Sequence, residues 1–423
     1  RRIWETTRAF WLDIEKDILP QESYKWHYVE NIIRELSHVY GLSEIRTPTF
    51  EHTELFLRGV GDTTDIVNKE MYTFTDKGDR SITLKPEGTA GVARAYVENG
   101  LGSFPQPIKM YYITSVFRYE KPQTGRLREH HQFGVEIFGS DNPLADVEVI
   151  SIASFFFKKL GIEGLTLKIN NIGCKKCRQN YNNALKEYLM GNIEDLCPIC
   201  KSRINKNPLR ILDCKELSCK KVIENAPICT DFLCPECKEH KEKVERGLNS
   251  LSIEYVNDPY LVRGLDYYTG TVFEFVSEKI GAQGTVCGGG RYNDLVEEVG
   301  GKATPAVGFG LGIERLLLLM ETMGVLLKEK EISEVFILPQ NDLFQNECLK
   351  MVSYLRENKI SAENDISGRS FKAQLKYANK IGFKYLIVIG ETELDSGIFS
   401  LKNMTNGEII ELNKKGLVDF FRR

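Results

Sequence analysis

Apolar residues recur every three or four positions near the start of the chain, at Trp26, Val29, Ile33, Leu36 and Tyr40. This period predicts an amphipathic helix from about Ser23 to Tyr40, with Gly41 as its stop. The residues that follow, as far as Pro48, predict a strand.

Two extended runs lie between Pro107 and Gly139 and are joined by the polar segment Lys121–Arg128, which predicts an antiparallel pair of strands. One face of this pair is polar and would carry Arg118, Glu120, His130, Gln132, Gly134 and Glu136. The opposite face is apolar, with Phe133, Val135 and Ile137. A ligand-binding floor and a solvated sheet face both account for this alternation.

The pattern of hydrophobic and polar residues changes after the charged run Lys328–Glu334. Before it, a strand is expected at Thr271–Val276 and a helix from about Gly312. After it, Glu334–Pro339 and Tyr385–Gly390 are typical of buried strands with helices between and after them. This pattern favours an α/β domain at the end of the chain.

The chain has 423 residues and a net charge of −3. At roughly 100–200 residues per domain, this length allows two to four domains. With 42% hydrophobic and 27% charged residues, the composition is that of a globular protein. No run is long enough to span a membrane and no signal peptide is recognisable, so a cytoplasmic location is expected. Contact with nucleic acid would depend on local basic patches.

Nine of the eleven cysteines fall between Cys174 and Cys237, in a stretch that carries a net charge of +4 from Cys174 to Arg246. This composition predicts an inserted domain. Three Cys-x-x-Cys pairs have the spacing of half a tetrahedral zinc site, and they begin at Cys174, Cys197 and Cys234. Cysteines also pack as small apolar residues. Structural zinc is therefore one of two interpretations, and spacing leaves open which pairs combine.

Several short segments could carry chemistry. In the turn Leu84–Thr89, Glu87 and Thr89 flank a glycine that lets backbone approach a ligand, although an ordinary turn has the same sequence. Arg263 lies in an apolar stretch, where it needs an anion or a salt bridge. Arg315 falls on an apolar helix face, where it could reach solvent or hold a phosphate. Neither the P-loop nor the dinucleotide fingerprint is present.

The order of these segments resembles class II aminoacyl-tRNA synthetases: Phe117-Arg-Tyr-Glu120, His131-Gln-Phe-Gly-Val-Glu136 and Gly312-Ile-Glu-Arg315. Two others, Leu261-Val-Arg-Gly-Leu-Asp-Tyr-Tyr268 and Gly284-Thr-Val-Cys-Gly-Gly-Gly-Arg-Tyr292, resemble the histidine signatures of the bacterial histidyl-tRNA synthetase family. The resemblance covers Asp17 to Phe421. Residues 1–16 depart from the family pattern, and only Asp17-Ile-Leu-Pro20 fits.

The resemblance implies an α+β catalytic domain with a mainly antiparallel sheet of the class II synthetase type, an inserted domain and a C-terminal α/β anticodon-binding domain. The expected boundaries are 1–172 and 254–326 for the catalytic domain, 173–253 for the cysteine-rich insertion and 331–423 for the anticodon-binding domain. It also implies a homodimer, with the segment Ser23–Pro48 resembling the family's dimerisation motif.

The implied reaction joins L-histidine to tRNA through an adenylate made from ATP with Mg²⁺. The resemblance assigns Glu87, Thr89 and Gln132 to the α-ammonium group of histidine, and Glu136 and Tyr268 to the imidazole. It also places Gly88 and Tyr267 in the histidine-binding site. Arg118 and Arg263 would hold the α-phosphate and carboxylate as catalytic groups, and Arg315 would contact the γ-phosphate and adenine. No residue is assigned as a metal ligand. In the last domain Lys372, Lys376 and Lys380 would form a basic stripe on a helix.

Two alternatives remain open on the sequence. A catalytically silent histidine sensor, such as the regulatory subunit of ATP phosphoribosyltransferase, shares the core but lacks the anticodon module and tends to lose the arginine signature. Here Arg118, Arg263, Arg315 and the C-terminal segment are all present. A pure RNA-binding module would not account for the polar floor.

Overall fold

The computed structural model describes residues 17–61, 64–120, 127–280, 284–325, 327 and 334–422. It divides into two compact units, residues 1–327 and 328–423. The atypical residues 1–16, most of the turn Lys121–Arg128 and most of the charged run Lys328–Glu334 lie outside the described residues. So do the predicted domain boundaries at 326 and 331, and the division into three domains stays a prediction.

The first unit is organised by an eight-stranded sheet. Its strands, in chain order, are β1 (Ser43–Glu44), β5 (Ile108–Phe117), β6 (Glu129–Phe138), β7 (Thr166–Asn171), β8 (Val256–Asn257), β9 (Thr269–Val276), β10 (Thr285–Arg291) and β11 (Ala306–Gly312). Their spatial order is β1-β5-β6-β11-β10-β9-β7-β8. All pairs from β5 to β7 in this order are antiparallel, and the short edge pairs β1·β5 and β7·β8 are parallel.

The predicted antiparallel pair is confirmed. Strands β5 and β6 run opposite each other from Ile108↔Phe138 to Phe117↔Glu129. The apolar back of β6 is buried, with Phe133, Val135 and Ile137 no more than 1% exposed. They pack with helices α1 (Pro20–Val39), α4 (Pro143–Lys159) and α10 (Ile313–Thr322). Burying one such side chain contributes about 1.5–3 kcal/mol, so this face fixes the sheet register.

The first helix is confirmed with slightly different ends. Helix α1 begins at Pro20, three residues earlier than the periodicity indicates, because proline suits the first helical turn. Gly41 follows it with φ +66°, as expected of a helix stop. The predicted strand up to Pro48 is shorter in the structure. Only Ser43–Glu44 pair with β5.

A smaller antiparallel sheet and three helices complete the frame around the polar face. The strands are β2 (Phe50–His52), β3 (Tyr72–Thr75) and β4 (Ser81–Leu84), with β4 in the middle. The helices are α2 (Thr53–Gly59), α3 (Thr89–Glu98) and α9 (Leu295–Glu298). Because β4 leads through Lys85–Gly88 into α3, the predicted turn of Glu87 lies at the amino end of a helix.

The cysteine-rich stretch between β7 and β8 is helical. Its helices are α5 (Lys175–Gly191), α6 (Pro198–Arg203), α7 (Leu217–Ile223) and α8 (Pro235–Ser250). Short 3₁₀ turns separate them at Ile193–Asp195, Pro208–Ile211 and Cys229–Phe232. Buried apolar residues from α5, α6 and α7 share a cluster with the signature residues Leu261, Tyr267 and Tyr268. The stretch is therefore packed against the histidine-type signature.

The second unit has the α/β pattern that its sequence predicts. Its strands are β12 (Val335–Pro339), β13 (Ala362–Asn364), β14 (Tyr385–Ile389), β15 (Ile398–Asn403) and β16 (Ile409–Asn413), and its helices are α11 (Gln345–Glu357), α12 (Phe371–Ile381), α13 (Glu391–Ser396) and α14 (Lys414–Phe421). The strand order is β13-β12-β14-β15-β16, with parallel pairing at β12·β13 and β12·β14. No helix among the described residues has the length and apolar character needed to cross a bilayer.

Candidate functional site

The polar face of the large sheet is open at its centre because glycines stand opposite the polar residues of β6. Gly308 pairs with Glu136 and Gly312 pairs with Gln132. A Cβ atom on Gly308 would lie 1.8 Å from Glu136 Oε2, and one on Gly310 would lie 2.4 Å from Gln132 Nε2. The glycines of β11 thus leave the space that these two side chains occupy.

Gly288, the first of three consecutive glycines in the signature, has the same role in the neighbouring strand. All three glycines lie inside strand β10. A Cβ on Gly288 would lie 2.3 Å from an Arg263 guanidinium nitrogen. Backbone without side chains is needed here because the guanidinium of Arg263 lies directly on the strand.

Glu136 is the centre of a buried group of polar side chains, the Glu136 cluster, which comprises Glu87, Thr89, Tyr112, Glu136 and Tyr292. The Thr89 hydroxyl donates to Glu136 Oε1 at 2.7 Å, and the Tyr112 hydroxyl donates to the same oxygen at 3.2 Å. Tyr292 donates to Oε2 through a short hydrogen bond. Glu136 is 0% exposed, and burial raises its pKa to about 8.

Glu87 is held by the start of helix α3. Its Oε2 and Oε1 accept the backbone N–H groups of Thr89 and Ala90, both at 2.7 Å. The Tyr267 hydroxyl lies 3.5 Å from Oε2. Burial raises the pKa of Glu87 above its usual value, and the two backbone donors oppose that shift. The carboxylate therefore has a fixed position at the positive end of a helix.

The predicted arginines meet in a second region, the arginine cavity. This cavity has a volume of about 190 Å³, and its lining includes Arg118, Arg263, Arg315, Gln132, Glu120 and Glu314. Arg118 Nε donates to the carbonyl of Pro86 at 2.7 Å. Arg315 Nη1 donates to the carbonyl of Thr285, also at 2.7 Å. These bonds to backbone orient two guanidinium groups around a space that an anion could fill.

Arg263 is held by an acidic partner. Its Nη1 forms a short ion pair with Glu274, which also accepts the Thr285 hydroxyl at 2.8 Å. The guanidinium carbon lies 6.0 Å from the centre of the Tyr268 ring. Burial opposes the charge of Arg263, yet Glu274 outweighs it and raises the pKa of Arg263 above its usual value. The guanidinium is therefore a permanent cation at one wall of the arginine cavity.

His130 also lines the arginine cavity. Burial is the main cause that lowers its pKa to about 3, and the charges of Arg118 and Arg315 add to the effect. The imidazole is therefore neutral at physiological pH. Because His130 is neutral, the positive charge of the cavity comes from the arginines.

The structure brings all ten sequence-predicted site residues to one side of the large sheet, in two groups. Arg118, Gln132, Arg263 and Arg315 line the arginine cavity. Glu87, Thr89 and Glu136 belong to the Glu136 cluster, with Tyr267 and Tyr268 buried beside it. Gly88 joins the two groups, because its backbone N–H donates to Gln132 Oε1 at 2.9 Å.

Four residues with clear contacts in the site have no role in the sequence prediction. Tyr112 and Tyr292 donate hydrogen bonds to Glu136, and Glu274 pairs with Arg263. Glu314 accepts the backbone N–H of His131 at 2.9 and 3.0 Å, and its Oε1 also lies 2.8 Å from His131 Nδ1. Glu274 is an acidic residue within the otherwise apolar segment of β9, and this position could have indicated a functional role. Nothing in the local sequence distinguishes Tyr112 from its neighbour Tyr111, because only their opposite orientation on β5 separates their roles.

Eight insertion cysteines form two groups of four. Thiol cluster 1 consists of Cys174, Cys177, Cys234 and Cys237, and thiol cluster 2 of Cys197, Cys200, Cys214 and Cys219. Within each cluster the ligand atoms all lie within 4.8 Å of one another. The structure thus supplies the pairing that spacing left open.

In the second unit, Lys372, Lys376 and Lys380 are all exposed on helix α12. The buried residues of this helix, Gln374 and Ala378, lie between them in sequence. The predicted basic stripe is therefore a solvent-facing row on one side of the helix.

Comparison with known proteins identifies the family of each unit. Residues 15–316 match the family model for histidyl-tRNA synthetase, and residues 334–423 match the model for an anticodon-binding domain. A histidine–tRNA ligase of Acetivibrio thermocellus is 56% identical over 403 residues, 95% of this chain and 97% of that protein. A histidine–tRNA ligase of Clostridium novyi is 54% identical over 403 residues, with coverage of 95% and 96%.

Solved structures agree with this assignment. The chain matches apo S. aureus histidyl-tRNA synthetase with a TM-score of 0.82 and 42% identity, covering 97% of this chain and 98% of that one. A Bacillus halodurans chain described as an ATP phosphoribosyltransferase regulatory subunit/histidyl-tRNA synthetase matches at a TM-score of 0.64 with 23% identity, covering 88% and 96%, and shares the fold. The protein belongs to the histidyl-tRNA synthetase family.

Proposed function

We propose that this protein ligates L-histidine to its cognate tRNA through a histidyl-adenylate intermediate formed from ATP. The observation that carries the proposal is the arrangement of Arg118, Arg263 and Arg315 around one cavity beside a buried acidic cluster. Histidine brings a cationic end and an imidazole, whereas ATP brings three phosphates. The oxygen atoms of the cluster can accept hydrogen bonds from the cationic end of histidine, and the guanidinium groups of the cavity are cations that suit the phosphates.

The roles assigned to the Glu136 cluster follow from its donors and acceptors. Glu136 and Tyr268 would bind the two imidazole nitrogens, since one must donate and the other accept when the ring is neutral. Glu87, Thr89 and Gln132 would hold the α-ammonium group through oxygen atoms. Because Glu87 is fixed by two backbone N–H groups, its acceptor atoms need little reordering when the substrate binds.

The roles assigned to the arginine cavity follow from where charge develops. The histidine carboxylate attacks the α-phosphorus in line, and the bond to the pyrophosphate leaving group breaks. Arg118 and Arg263 would stabilise the charge on the α-phosphate oxygens, and Arg315 would bind the γ-phosphate. No general base is required, because a carboxylate is already ionised at neutral pH.

Mg²⁺ fits the same cavity. This ion is usually held by one or two carboxylates together with substrate phosphates, and Glu120 and Glu314 both line the cavity. When bound, it would neutralise part of the negative charge of ATP. The protein residues would supply the remaining positive charge and the orientation of the phosphates.

The second unit would bind the tRNA anticodon. Lys372, Lys376 and Lys380 form an exposed row of positive charge, which suits contact with a phosphate backbone. Replacing all three by alanine should raise the KM for tRNA several-fold and reduce its dependence on salt, whereas adenylate formation should not change. An unchanged KM for tRNA would contradict this role.

A homodimer is part of the proposal. Helix α1 leaves Tyr28 and Val39 exposed, 41% and 73% respectively, whereas five other apolar residues of the helix are buried, namely Trp26, Val29, Ile32, Ile33 and Leu36. Light scattering at micromolar concentration should give twice the chain mass of 48.3 kDa. A monomer under these conditions would contradict it.

A cytoplasmic location is also part of the proposal, because the tRNA substrate is used there. Structural zinc in the insertion is a further part of the proposal. Zinc is supported by the grouping of eight cysteines into two sets of four. Elemental analysis of protein purified without chelator tests it. Less than about one-tenth of an equivalent of zinc per chain would exclude a structural site.

The experiment that tests the activity is ATP–pyrophosphate exchange with each amino acid in turn. Exchange is expected with histidine alone, because only histidine offers an imidazole to Glu136 and Tyr268. The same experiment tests the alternative of a silent histidine sensor, which would bind histidine without exchange. Exchange with several amino acids, or none with histidine, would overturn the proposal.

A further inference from the structure

The two thiol clusters have the dimensions of mononuclear metal sites. A tetrahedral ion with metal–sulfur bonds of about 2.3 Å holds its sulfur atoms about 3.8 Å apart. In thiol cluster 1 the Sγ atoms of Cys174 and Cys177 are 3.6 Å apart. In thiol cluster 2 those of Cys197 and Cys214 are 4.0 Å apart. Both distances are far longer than the ~2.05 Å of a disulfide and close to that of a shared ion.

Backbone N–H groups point at the sulfur atoms, as expected where thiolates must be stabilised. Cys234 N donates to Cys177 Sγ at 3.1 Å in thiol cluster 1. In thiol cluster 2, Cys197 N donates to Cys219 Sγ at 3.2 Å, and Cys200 N donates to Cys197 Sγ at 3.4 Å. Such donors orient metal ligands and tune their basicity. A neutral thiol that packs only as an apolar group would be a weak acceptor for these backbone N–H groups.

Cys229 provides the contrast within the same stretch. It is 2% exposed, packs in the apolar cluster of the insertion and belongs to neither group of four. The grouping is therefore not a consequence of cysteine abundance alone. A set of four sulfur ligands with no other ligand type is typical of a closed structural zinc site.

We propose that the insertion binds two structural zinc ions, one in each thiol cluster, and that both ions position the segment Leu261–Tyr268, which carries Arg263. The part that concerns Arg263 rests on the proposed function. Each cluster is connected to this segment through residues that lie near its cysteines along the chain.

Thiol cluster 1 is connected to the end of the segment. Cys174 and Cys177 lie at the start of helix α5, and the next residue, Arg178, donates from Nη1 to the carbonyl of Tyr268 at 2.9 Å. Gly270 N donates to the carbonyl of Gly173, which precedes Cys174, at 3.0 Å. An ion that ties α5 to the Cys234 pair would therefore fix the backbone beside Tyr268.

Thiol cluster 2 is connected to the middle of the segment. Cys197 and Cys200 lie at the start of helix α6, and the residues after α6 reach the segment directly. Asn207 Nδ2 donates to Asp266 Oδ1 at 2.9 Å, and Arg210 Nη1 donates to the carbonyl of Arg263 itself at 3.3 Å. Arg263 and Tyr268 also line a second cavity, of about 260 Å³, together with Arg210 and Arg178.

Metal content tests the two ligand sets. Wild-type protein purified without chelator should contain two zinc ions per chain by mass spectrometry. Cys237→Ser and Cys214→Ser should each retain one, and Cys229→Ser, the matched control, should retain two. Zinc that stays at two in Cys237→Ser or Cys214→Ser, or falls in Cys229→Ser, would overturn the assigned ligand sets.

A second measurement covers variants that fail to fold. Wild-type protein grown in cobalt should develop the strong thiolate-to-cobalt absorption of tetrathiolate sites, saturating at two ions per chain. Saturation at one ion, or a spectrum without thiolate bands, would overturn the two-site proposal without any substitution.

The positioning role is tested by kinetics on the same folded variants. Cys214→Ser should lower kcat of histidine-dependent exchange by on the order of 10- to 100-fold, since a displacement of about 1 Å has effects of this size, while the KM for histidine changes less than about two-fold. An unchanged kcat in a chain that has lost one zinc would refute positioning. Full zinc content without histidine-dependent exchange would instead refute the proposed function and leave both metal sites standing.

Discussion

The Glu136 cluster and the arginine cavity are neighbours on one sheet, yet their polar groups differ in whether the protein itself supplies their partners. In the cluster, every carboxylate oxygen named above already accepts a hydrogen bond from the protein, and Glu136 is 0% exposed. In the cavity, three guanidinium groups surround about 190 Å³ of space. The cluster is complete before any ligand arrives, whereas the cavity gathers positive charge that an anion would neutralise.

Under the proposed function, this difference would separate the selection of the amino acid from the chemical step. A rigid, satisfied acidic cluster can discriminate between side chains, because a ligand that fails to replace its hydrogen bonds leaves buried groups unpaired. A cationic cavity stabilises phosphate charge of any nucleotide and gains most as charge increases in the transition state. Substitutions in the cluster should therefore alter the use of histidine, and those in the cavity should alter the use of ATP.

The largest effect is expected from Arg263→Ala. Losing a donor that meets developing charge at the α-phosphate should slow adenylate formation by on the order of 10²–10³-fold. Arg263→His should recover only part of this loss, because it keeps a smaller cation without the bidentate fork. Single-turnover kinetics measures this step separately from transfer to tRNA, which should be comparatively spared.

The outcome also defines the role of Arg263 in the comparison. If Arg263→Ala left activation intact and weakened only histidine binding, the arginine would anchor the substrate carboxylate. It would then belong with the specificity residues, and the charge of the cavity would have to act through Arg118 and Arg315.

The next largest effect is expected from Gly308→Ala, which breaks the cluster without removing any of its polar groups. The new Cβ would lie 1.8 Å from Glu136 Oε2 and 2.3 Å from the carbonyl oxygen of Val135, so the strand or the carboxylate must move. Overpacking of this kind lowers the free energy of unfolding by about 1–3 kcal/mol. The KM for histidine should rise more than the KM for ATP.

Gly191→Ala is the matched control, because a Cβ there meets no heavy atom within 4 Å. Its unfolding free energy should equal that of the wild type or exceed it slightly, since alanine favours a helix. Chemical denaturation measures both variants. Equal stability of Gly308→Ala and Gly191→Ala would show that the cluster tolerates displacement.

The third prediction concerns Glu136→Gln and pH. The pKa of Glu136 is about 8 in the folded chain, against an ordinary value of 4.5, so ionising it in place costs folding energy. The wild type therefore loses stability as pH rises from about 4.5 to 8, and the neutral glutamine does not. The melting temperature of the variant minus that of the wild type should rise by on the order of 2–4 °C between pH 5 and pH 9.

Scanning calorimetry at several pH values measures this difference. Loss of one acceptor oxygen lowers the stability of the variant at every pH, so the informative quantity is the change with pH and not its absolute sign. A difference that stays constant from pH 5 to pH 9 would mean that Glu136 titrates normally, and that water reaches the cluster.

The sequence predicts the apolar frame of this site well and its contacts poorly. The period of α1 and the alternation of β6 give the correct elements, because one face of each is buried in the same core. The two-residue strand β1 is overestimated, since pairing with β5 and not β-propensity limits its length. Local patterns are informative where burial decides the structure.

The partners of the site residues depend on long-range contacts instead. Tyr292 reaches Glu136 across 156 positions, and Arg178 reaches the Tyr268 carbonyl across 90. The thiol clusters also depend on long-range contacts. Cys177 accepts from the backbone of Cys234, 57 positions away, and only the fold of α5 and α8 brings the four cysteines together.

The smallest effect is expected from Arg315→Lys, which sharpens the division between the two regions. Lysine keeps one positive charge and can still donate to the Thr285 carbonyl, but it loses the planar fork that grips a phosphate. The KM for ATP should rise by roughly two- to ten-fold, equivalent to about 0.4–1.4 kcal/mol, while the KM for histidine should stay unchanged. Arg80→Lys is the control, because Arg80 pairs with Asp76 on the surface and is 63% exposed. Steady-state exchange with each substrate varied in turn measures both constants. An increase in the KM for histidine equal to that for ATP would mean that the arginine cavity and the Glu136 cluster respond as one unit, and the separation of specificity from phosphate binding would fail.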